Sequence, residues 1–235
     1  MPGEKFVFIP NAIPGRASSE GTRVSKYEAF TLTYTGSLYL GRSPEPVCQA
    51  VSLLIREGKA KPESIRIKLV GDCSDSDGVP TASLVRKYGL ESVVEVRDLV
   101  SHAEALEIIS RSHLALLFAA GLPFQIPAKA YDYLGAGTRI LAIADDGATV
   151  DLIRDTGCGR AFPPEDVGRI ATFIYQEMTS LPPSNDGPAA SVVRFDVRRI
   201  TEELSRHLRR VAETSRASGG GKHSSTSSTG GGPHR

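Results

Sequence analysis

Cysteine is scarce in this chain. Three in 235 residues, Cys48, Cys73 and Cys158, are odd in number and widely spaced, which argues against a disulfide framework and offers no zinc-type pair. A reducing compartment, the cytoplasm, fits that usage. Long hydrophobic runs are missing too: nothing approaches the roughly 18 apolar residues of a membrane span, and the stretch after Met1 is too short for a signal peptide. Any membrane role would be peripheral, at the inner face. Charge of one sign is also lacking. A net charge of +1 exerts no bulk pull toward nucleic acid or an acidic surface, so no nucleic-acid partner is expected.

What is present is an ordinary soluble composition, 40% hydrophobic and 23% charged, with length for about one domain. From Phe30 onward short β-rich runs alternate with helical ones, the pattern of strand and helix units in a parallel sheet covered on both faces. Strands are predicted at 30–36, 65–71, 92–99, 113–119, 139–144 and 159–162, and helices at 45–58, 80–88, 101–111, 127–135, 147–156 and 164–178. Ser101 and Glu104 have the S-x-x-E spacing of a capping box. After a Pro/Gly-rich break at 179–190, Val193, Val197, Ile200, Leu204, Leu208 and Val211 recur every three or four residues, the apolar stripe of an amphipathic helix over 190–214. Packing on its own domain or on another chain is the plainer reading of that helix, and a membrane surface the other. Residues 1–29 read as a linker and incoming strand, and the Gly/Ser/Thr-rich 215–235 as a disordered tail.

Three motif-like stretches fail on inspection. "YDYLGAGTRILAI" carries Gly135 and Gly137 at G-x-G spacing, but the third position is Ile140, and the pair follows a helix and precedes a strand, the reverse of a dinucleotide-binding turn. Those glycines read as a helix stop. In "CSDSDG", Asp75, Asp77 and Gly78 imitate a calcium loop, yet the first ligand position is Cys73 and the twelfth Leu84; an exposed Asp/Ser turn remains. His102, in the first turn of a capped helix, and His113, at a strand start, have no partner at metal or triad spacing and read as surface or capping residues. Neither a metal nor a cofactor is expected.

Open parallel sheets bind ligands at the carboxyl ends of their strands. There the first strand ends in Gly36 and leads to Arg42, while the fourth runs through "AAGLPFQIPAKAYDYL" into a helix whose free amides and partial positive charge suit an anion. Lys129 lies in its first turn. Asp132, three residues on, makes a simple Lys129–Asp132 pair an even alternative, at about 0.2–0.5 kcal/mol. Taken together, a cation, a helix start and a carboxylate meet the demands of a sugar nucleotide, with its diphosphate and ribose hydroxyls.

The stretches "FVFIPNAI", "LTYTGSLYLGR", "IRIKLVGD", "VRDLVSHAEAL" and "IPAKAYDYLGAGTRILAI", in this order and at these separations, resemble the carboxyl-terminal, donor-binding domain of the group 1 (family 4) glycosyltransferases of GT-B fold. The resemblance runs from about Lys5 to Met178. It implies an α/β fold, a Rossmann-like open parallel sheet of about six strands with helices on both faces, forming a single GT-B half-domain. It also implies metal-free transfer of a sugar from a nucleotide diphosphate with retention at the anomeric carbon. Gly36 falls on the family's glycine-rich turn and Arg42 on its phosphate-binding Lys; Arg42, Lys129 and the helix start would carry the catalytic role of stabilising the charge on the departing diphosphate. Asp132 falls on the ribose-binding Glu of an E-x7-E pattern. The base is expected against Asp98, Leu99 and Val100, and the sugar against the backbone of Phe124, Gln125 and Ile126.

Two positions depart from the family pattern. Phe124 stands where the first Glu of E-x7-E belongs, with Gln125 as its substitute, and Ser37 stands where an Arg often follows the glycine turn. The family pairs this domain with an amino-terminal acceptor domain. The chain starts at what looks like the strand entering the second domain, so it reads as a fragment or as one chain of a split enzyme whose acceptor half is on another chain, or copies associate through the 190–214 helix. Two other readings stay open: a non-catalytic nucleotide-sugar-binding or scaffolding domain, favoured by Phe124, and a sugar-nucleotide epimerase.

Overall fold

In a computed structural model, residues 6–13, 24–180 and 192–219 are described; of the predicted break at 179–190 all but the first two residues, and of the predicted tail at 215–235 the residues from 220 onward, lie outside the described residues. The chain builds β1 (Phe30–Thr35), α1 (Glu45–Arg56), β2 (Ile65–Val70), a hairpin of β3 (Asp75–Ser76) and β4 (Val79–Pro80), α2 (Thr81–Lys87) and β5 (Val94–Arg97). It continues with α3 (His102–Arg111), β6 (Leu114–Phe118), α4 (Lys129–Ala136), β7 (Arg139–Ile143), α5 (Ala148–Thr156), β8 (Gly159–Phe162), α6 (Val167–Thr179) and α7 (Val197–Gly219). All six predicted strands form. The hairpin was not predicted, because two-residue strands carry no periodicity to read.

The six long strands make one parallel sheet in the order β5-β2-β1-β6-β7-β8. Every crossover passes over a face, and the order reverses between β1 and β6. That reversal opens a crevice at the carboxyl ends of the two strands, the place where doubly wound sheets take their ligands.

Each face buries its own apolar layer. Leu32, Tyr34, Ile67, Leu69, Leu116, Phe118 and Leu141 meet Val47, Val51 and Leu54 of α1 and Ile170, Phe173 and Ile174 of α6 on one side. Ala115, Leu117, Ile140 and Ala142 meet Ile109 of α3, Tyr133 and Leu134 of α4, and Leu152 and Ile153 of α5 on the other. Central β6 is buried at every position, which is why "LALLF" is continuous rather than alternating. Each Val, Leu, Ile or Phe side chain so removed from water contributes about 1.5–3 kcal/mol.

Helix ends follow local chemistry. Ser101 Oγ accepts from the Glu104 amide at 3.2 Å, but the Glu104 carboxylate goes to Arg97 at 3.2 Å, so only half of the capping box forms. Of the two α4 glycines, Gly137 is the stop, at φ 67°. Gly135 lies inside the helix, and a side chain there would come 2.7 Å from Ile13 Cγ2; it makes room for the incoming amino-terminal segment, whose Ile13 amide donates to Phe195 O at 2.7 Å. A 3-10 turn at Val193–Phe195 precedes α7. That helix runs on through 215–219, where a tail was expected, and ends as the glycine run begins. Its stripe is buried at Ile200 and exposed at Leu204, Leu208 and Val211.

Candidate functional site

The crevice is built on two glycines. Gly36 follows β1 at φ 128° and Gly71 follows β2 at φ 120°, backbone values that L side chains rarely adopt. The two stand back to back: a side chain on Gly71 would strike the Gly36 carbonyl. The Gly36 amide donates to Val70 O at 2.7 Å, and the Cys73 thiol donates to Gly36 O at 3.1 Å. Burial pushes that thiol up to about 12, so it stays a protonated donor.

Lys129, the first residue of α4, reaches across the crevice onto this turn. A methyl group on Gly36 would collide with its Cε and Nζ, and Nζ stands 5.6 Å from the centre of the Tyr34 ring. From the other side comes the tight turn Tyr39–Arg42, closed by the Arg42 amide donating to Tyr39 O at 3.2 Å. The Arg42 guanidinium lies 4.1 Å above the Tyr39 ring, and the residue is only 8% exposed.

The electrostatics show that the two cations share one place. A hydrogen bond from Arg42, then its charge, holds the Tyr39 hydroxyl below the usual tyrosine value. Burial, then Arg42, lowers Lys129. Among the described residues neither cation is within ion-pair distance of a carboxylate. The expected alternative, a Lys129–Asp132 pair, does not form. Asp132 Oδ1 instead sits 3.4 Å from His102 Nε2, which brings a histidine from α3 to the rim. The start of α4 is less open than expected, since the amides of Ala130 and Tyr131 donate to Pro127 O and Ala128 O at 2.9 and 3.0 Å. Those of Ala128 and Lys129 have no backbone partner among the described residues.

The remaining predicted residues lie around this centre. Ser37 is half-buried, and its carbonyl accepts from the Tyr34 hydroxyl at 2.7 Å. Exposed Leu99 and half-buried Val100 follow β5, two strands from the switch point. Phe124 is 98% exposed. The next residue is pinned by its backbone, with the Gln125 amide donating to Leu122 O at 3.2 Å and its carbonyl accepting from Thr149 Oγ1 at 3.0 Å. Ile126 lines a separate cavity of about 440 Å³ with Phe8, Tyr131 and Phe195, so only its backbone is left for the crevice. Tyr39, Cys73 and Asp77 were not predicted as site residues. Their signal is tertiary, apart from Tyr39, which stands three residues from Arg42 in the same turn.

No family model matches the sequence, and no curated protein is significantly similar to it; solved structures are. HepE from Anabaena in complex with UDP-glucose aligns over 77% of this chain and 48% of its own, at 17% identity and a TM-score of 0.59. Sucrose-phosphate synthase from Thermosynechococcus elongatus aligns over 80% and 46%, at 16% identity and 0.61. A glycosyltransferase involved in avilamycin A biosynthesis aligns over 89% and 59%, at 16% identity and 0.62. The fold is that of a GT-B half-domain. The half-domain spans about half the length of the chains it matches. Among its described residues no group of three or more His, Cys, Asp or Glu side chains could hold a metal ion, and no helix is long and apolar enough to cross a membrane.

Proposed function

We propose that this GT-B half-domain binds a nucleotide-diphosphate sugar at the β1–β6 switch point and serves as the donor site of a retaining glycosyltransferase. One observation carries the reading: Arg42, from the turn after β1, and Lys129, which starts α4 and lies on Gly36, act on each other across the crevice, and among the described residues neither has a carboxylate within ion-pair distance. Two partly desolvated like charges raise each other's free energy, and a diphosphate between them would reverse that cost. Gly36 allows the close approach of the Lys129 side chain that such a clamp needs.

In this reading Arg42 and Lys129 grip the diphosphate and stabilise the charge that builds on it as the glycosidic bond breaks, the preorganised electrostatic role that lowers such a barrier. The free amides of Ala128 and Lys129 assist. Asp132 accepts the ribose hydroxyls, with His102 beside it. Leu99 and Val100 support the base, and Ser37 and the backbone of Phe124, Gln125 and Ile126 meet the diphosphate and sugar. An acceptor-binding half, or a second copy of the chain, packs on the exposed stripe of α7, and the reaction takes place in the cytoplasm without a metal. Phe124 favours a second reading, a nucleotide-sugar-binding module without turnover, since an exposed phenyl ring cannot supply the carboxylate contact expected there.

Calorimetric titration with UDP-, GDP- and ADP-sugars tests both readings, starting with uridine because HepE was solved with UDP-glucose. Saturable binding of one nucleotide class is expected. Failure to bind any of them would sink both readings, and binding with no transfer or hydrolysis, even with an acceptor half present, would leave the second.

A further inference from the structure

The connection from β2 to α2 carries the β3–β4 hairpin, which has no part in the main sheet. Ser76 faces Val79 across a two-residue turn in which Asp77 and Gly78 both have positive φ, 51° and 82°, the conformation that tight hairpins favour and that Asp-Gly supplies. The Asp77 side chain leaves the tip of this turn toward a second one. There Leu40 and Gly41 are also both left-handed, at φ 50° and 77°. Neighbouring amides in such turns form concave donor pairs of the kind that hold anions. The anion held is Asp77: Oδ1 accepts from the Leu40 amide at 2.9 Å and Oδ2 from the Gly41 amide at 2.7 Å. Ser76 Oγ adds a bond to the Arg42 carbonyl at 3.1 Å.

Three hydrogen bonds thus clamp the turn that ends in Arg42. Leu40 is exposed and its left-handed backbone is unfavourable for a branched-side-chain residue, so the turn needs an outside hold to keep this shape. Tyr39 and Arg42 project from it side by side, with the guanidinium stacked on the ring and facing Lys129.

We propose that Asp77 is a positioning residue for the diphosphate site: by binding the Leu40 and Gly41 amides, its carboxylate fixes the turn that delivers Arg42 to the crevice. The inference rests on the reading of Arg42 as a phosphate ligand. Asp77 itself does not touch the ligand, because its carboxylate is held by the turn's amides and, as an acceptor only, has no donor to offer a diphosphate.

Asp77→Ala, Asp77→Asn and Arg42→Ala are compared with the wild type by UDP calorimetry and by NMR titration of the Tyr39 phenol, a group that faces Arg42 and Lys129. In Asp77→Ala the affinity for UDP falls about tenfold, because the turn that carries Arg42 loses two of the three hydrogen bonds that hold its shape, and the Tyr39 phenol titrates higher because Arg42 no longer rests on it. Asp77→Asn keeps one acceptor oxygen and falls between the two; it also serves if the alanine variant folds poorly. A role in stability alone would leave the Tyr39 titration of the folded protein unmoved, and that result overturns the inference. Unchanged affinity in Asp77→Ala alongside a large loss in Arg42→Ala overturns it while the Arg42 reading stands. Tighter binding in Asp77→Ala overturns it too, by showing that Asp77 competes with the ligand. If Arg42→Ala also leaves the affinity for UDP unchanged, the Arg42 reading fails and the inference with it.

Discussion

At the amino end of the sheet, Lys26 Nζ donates to the carbonyls of Ser110 and Ser112 at 2.9 and 2.7 Å, and Arg139 Nε stands 2.8 Å from a Glu177 carboxylate oxygen. At the carboxyl end, Arg42 and Lys129 act on each other, and among the described residues the nearest carboxylate to Lys129, that of Asp132, pairs with His102 instead. Both pairs of cations are held by a packed scaffold, and they differ in whether a carbonyl or a carboxylate stands in direct contact with the charge; for Arg139 that contact is an ion pair only, since its buried Nε makes no hydrogen bond among the described residues. Where positive charge only ties elements together, a carbonyl or a carboxylate meets it. Where two cations stand near each other at a switch point with no carboxylate in ion-pair contact among the described residues, the folded chain carries a cost that the proposed diphosphate would relieve. Position in the fold and the state of the charge point the same way, and neither alone would carry the argument.

The comparison breaks most readily at Arg42. Arg42→Ala should weaken UDP binding by about 1.5–3 kcal/mol, the range for hydrogen bonds to charged groups, or about 10- to 150-fold. Lys129, freed of its like-charged neighbour, should titrate higher in the same variant. An unchanged dissociation constant would reduce Arg42 to the structural class of Arg139.

Lys129 sharpens the contrast through pH. Its folded pKa lies below the ordinary 10.5, so between those two values the unfolded chain binds more protons than the folded one. This group's contribution to stability therefore rises as pH climbs through the window. Lys26 is lowered by burial in the same direction, so the measurement is a difference: the melting temperature of the wild type minus that of Lys129→Met, followed from pH 7 to 10.5 with and without UDP. The difference should move in favour of the wild type with rising pH in the free protein. With ligand bound, the diphosphate favours the charged amine and the slope should shrink or reverse. A slope indifferent to UDP would mean that no anion sits beside Lys129.

Local chemistry made the sheet legible in advance. β6 reads as a strand because five apolar residues in a row suit a position buried on both sides, and the α3 cap reads from Ser101 because a serine hydroxyl can reach the third amide of a helix. Gly135 was misread because its need for a bare Cα comes from Ile13, more than 100 residues away, and no helix-end rule contains that contact. The site divides the same way. Gly36 and Arg42 fall in place along one strand and its loop, whereas Lys129 lying over Gly36, His102 beside Asp132 and Asp77 gripping Leu40 and Gly41 are products of the strand order. In the sequence Asp77 is an acid in a turn, with nothing to mark which backbone it will hold.

The smallest effect is expected at His113, on the structural end of the comparison. Its Nδ1 accepts the Thr31 amide at 3.0 Å, and its own amide donates to Thr31 O at 2.9 Å, so one residue joins the starts of β1 and β6. Burial, then Lys26, lowers its pKa, which keeps the ring neutral and Nδ1 an acceptor. The stability it supplies is present above the ordinary 6.5 and lost as pH falls from there through the folded value, where the ring must take up a proton and give up the Thr31 bond. His113→Phe retains the stacking on Phe30, whose ring lies 4.8 Å away, but leaves the amide unpaired. A loss of about 1 kcal/mol is expected, together with a flatter melting profile between pH 5 and 7, and no change in UDP affinity. A change in affinity would mean that strain at the amino end reaches the crevice through β1, and that the two ends of the sheet are not independent.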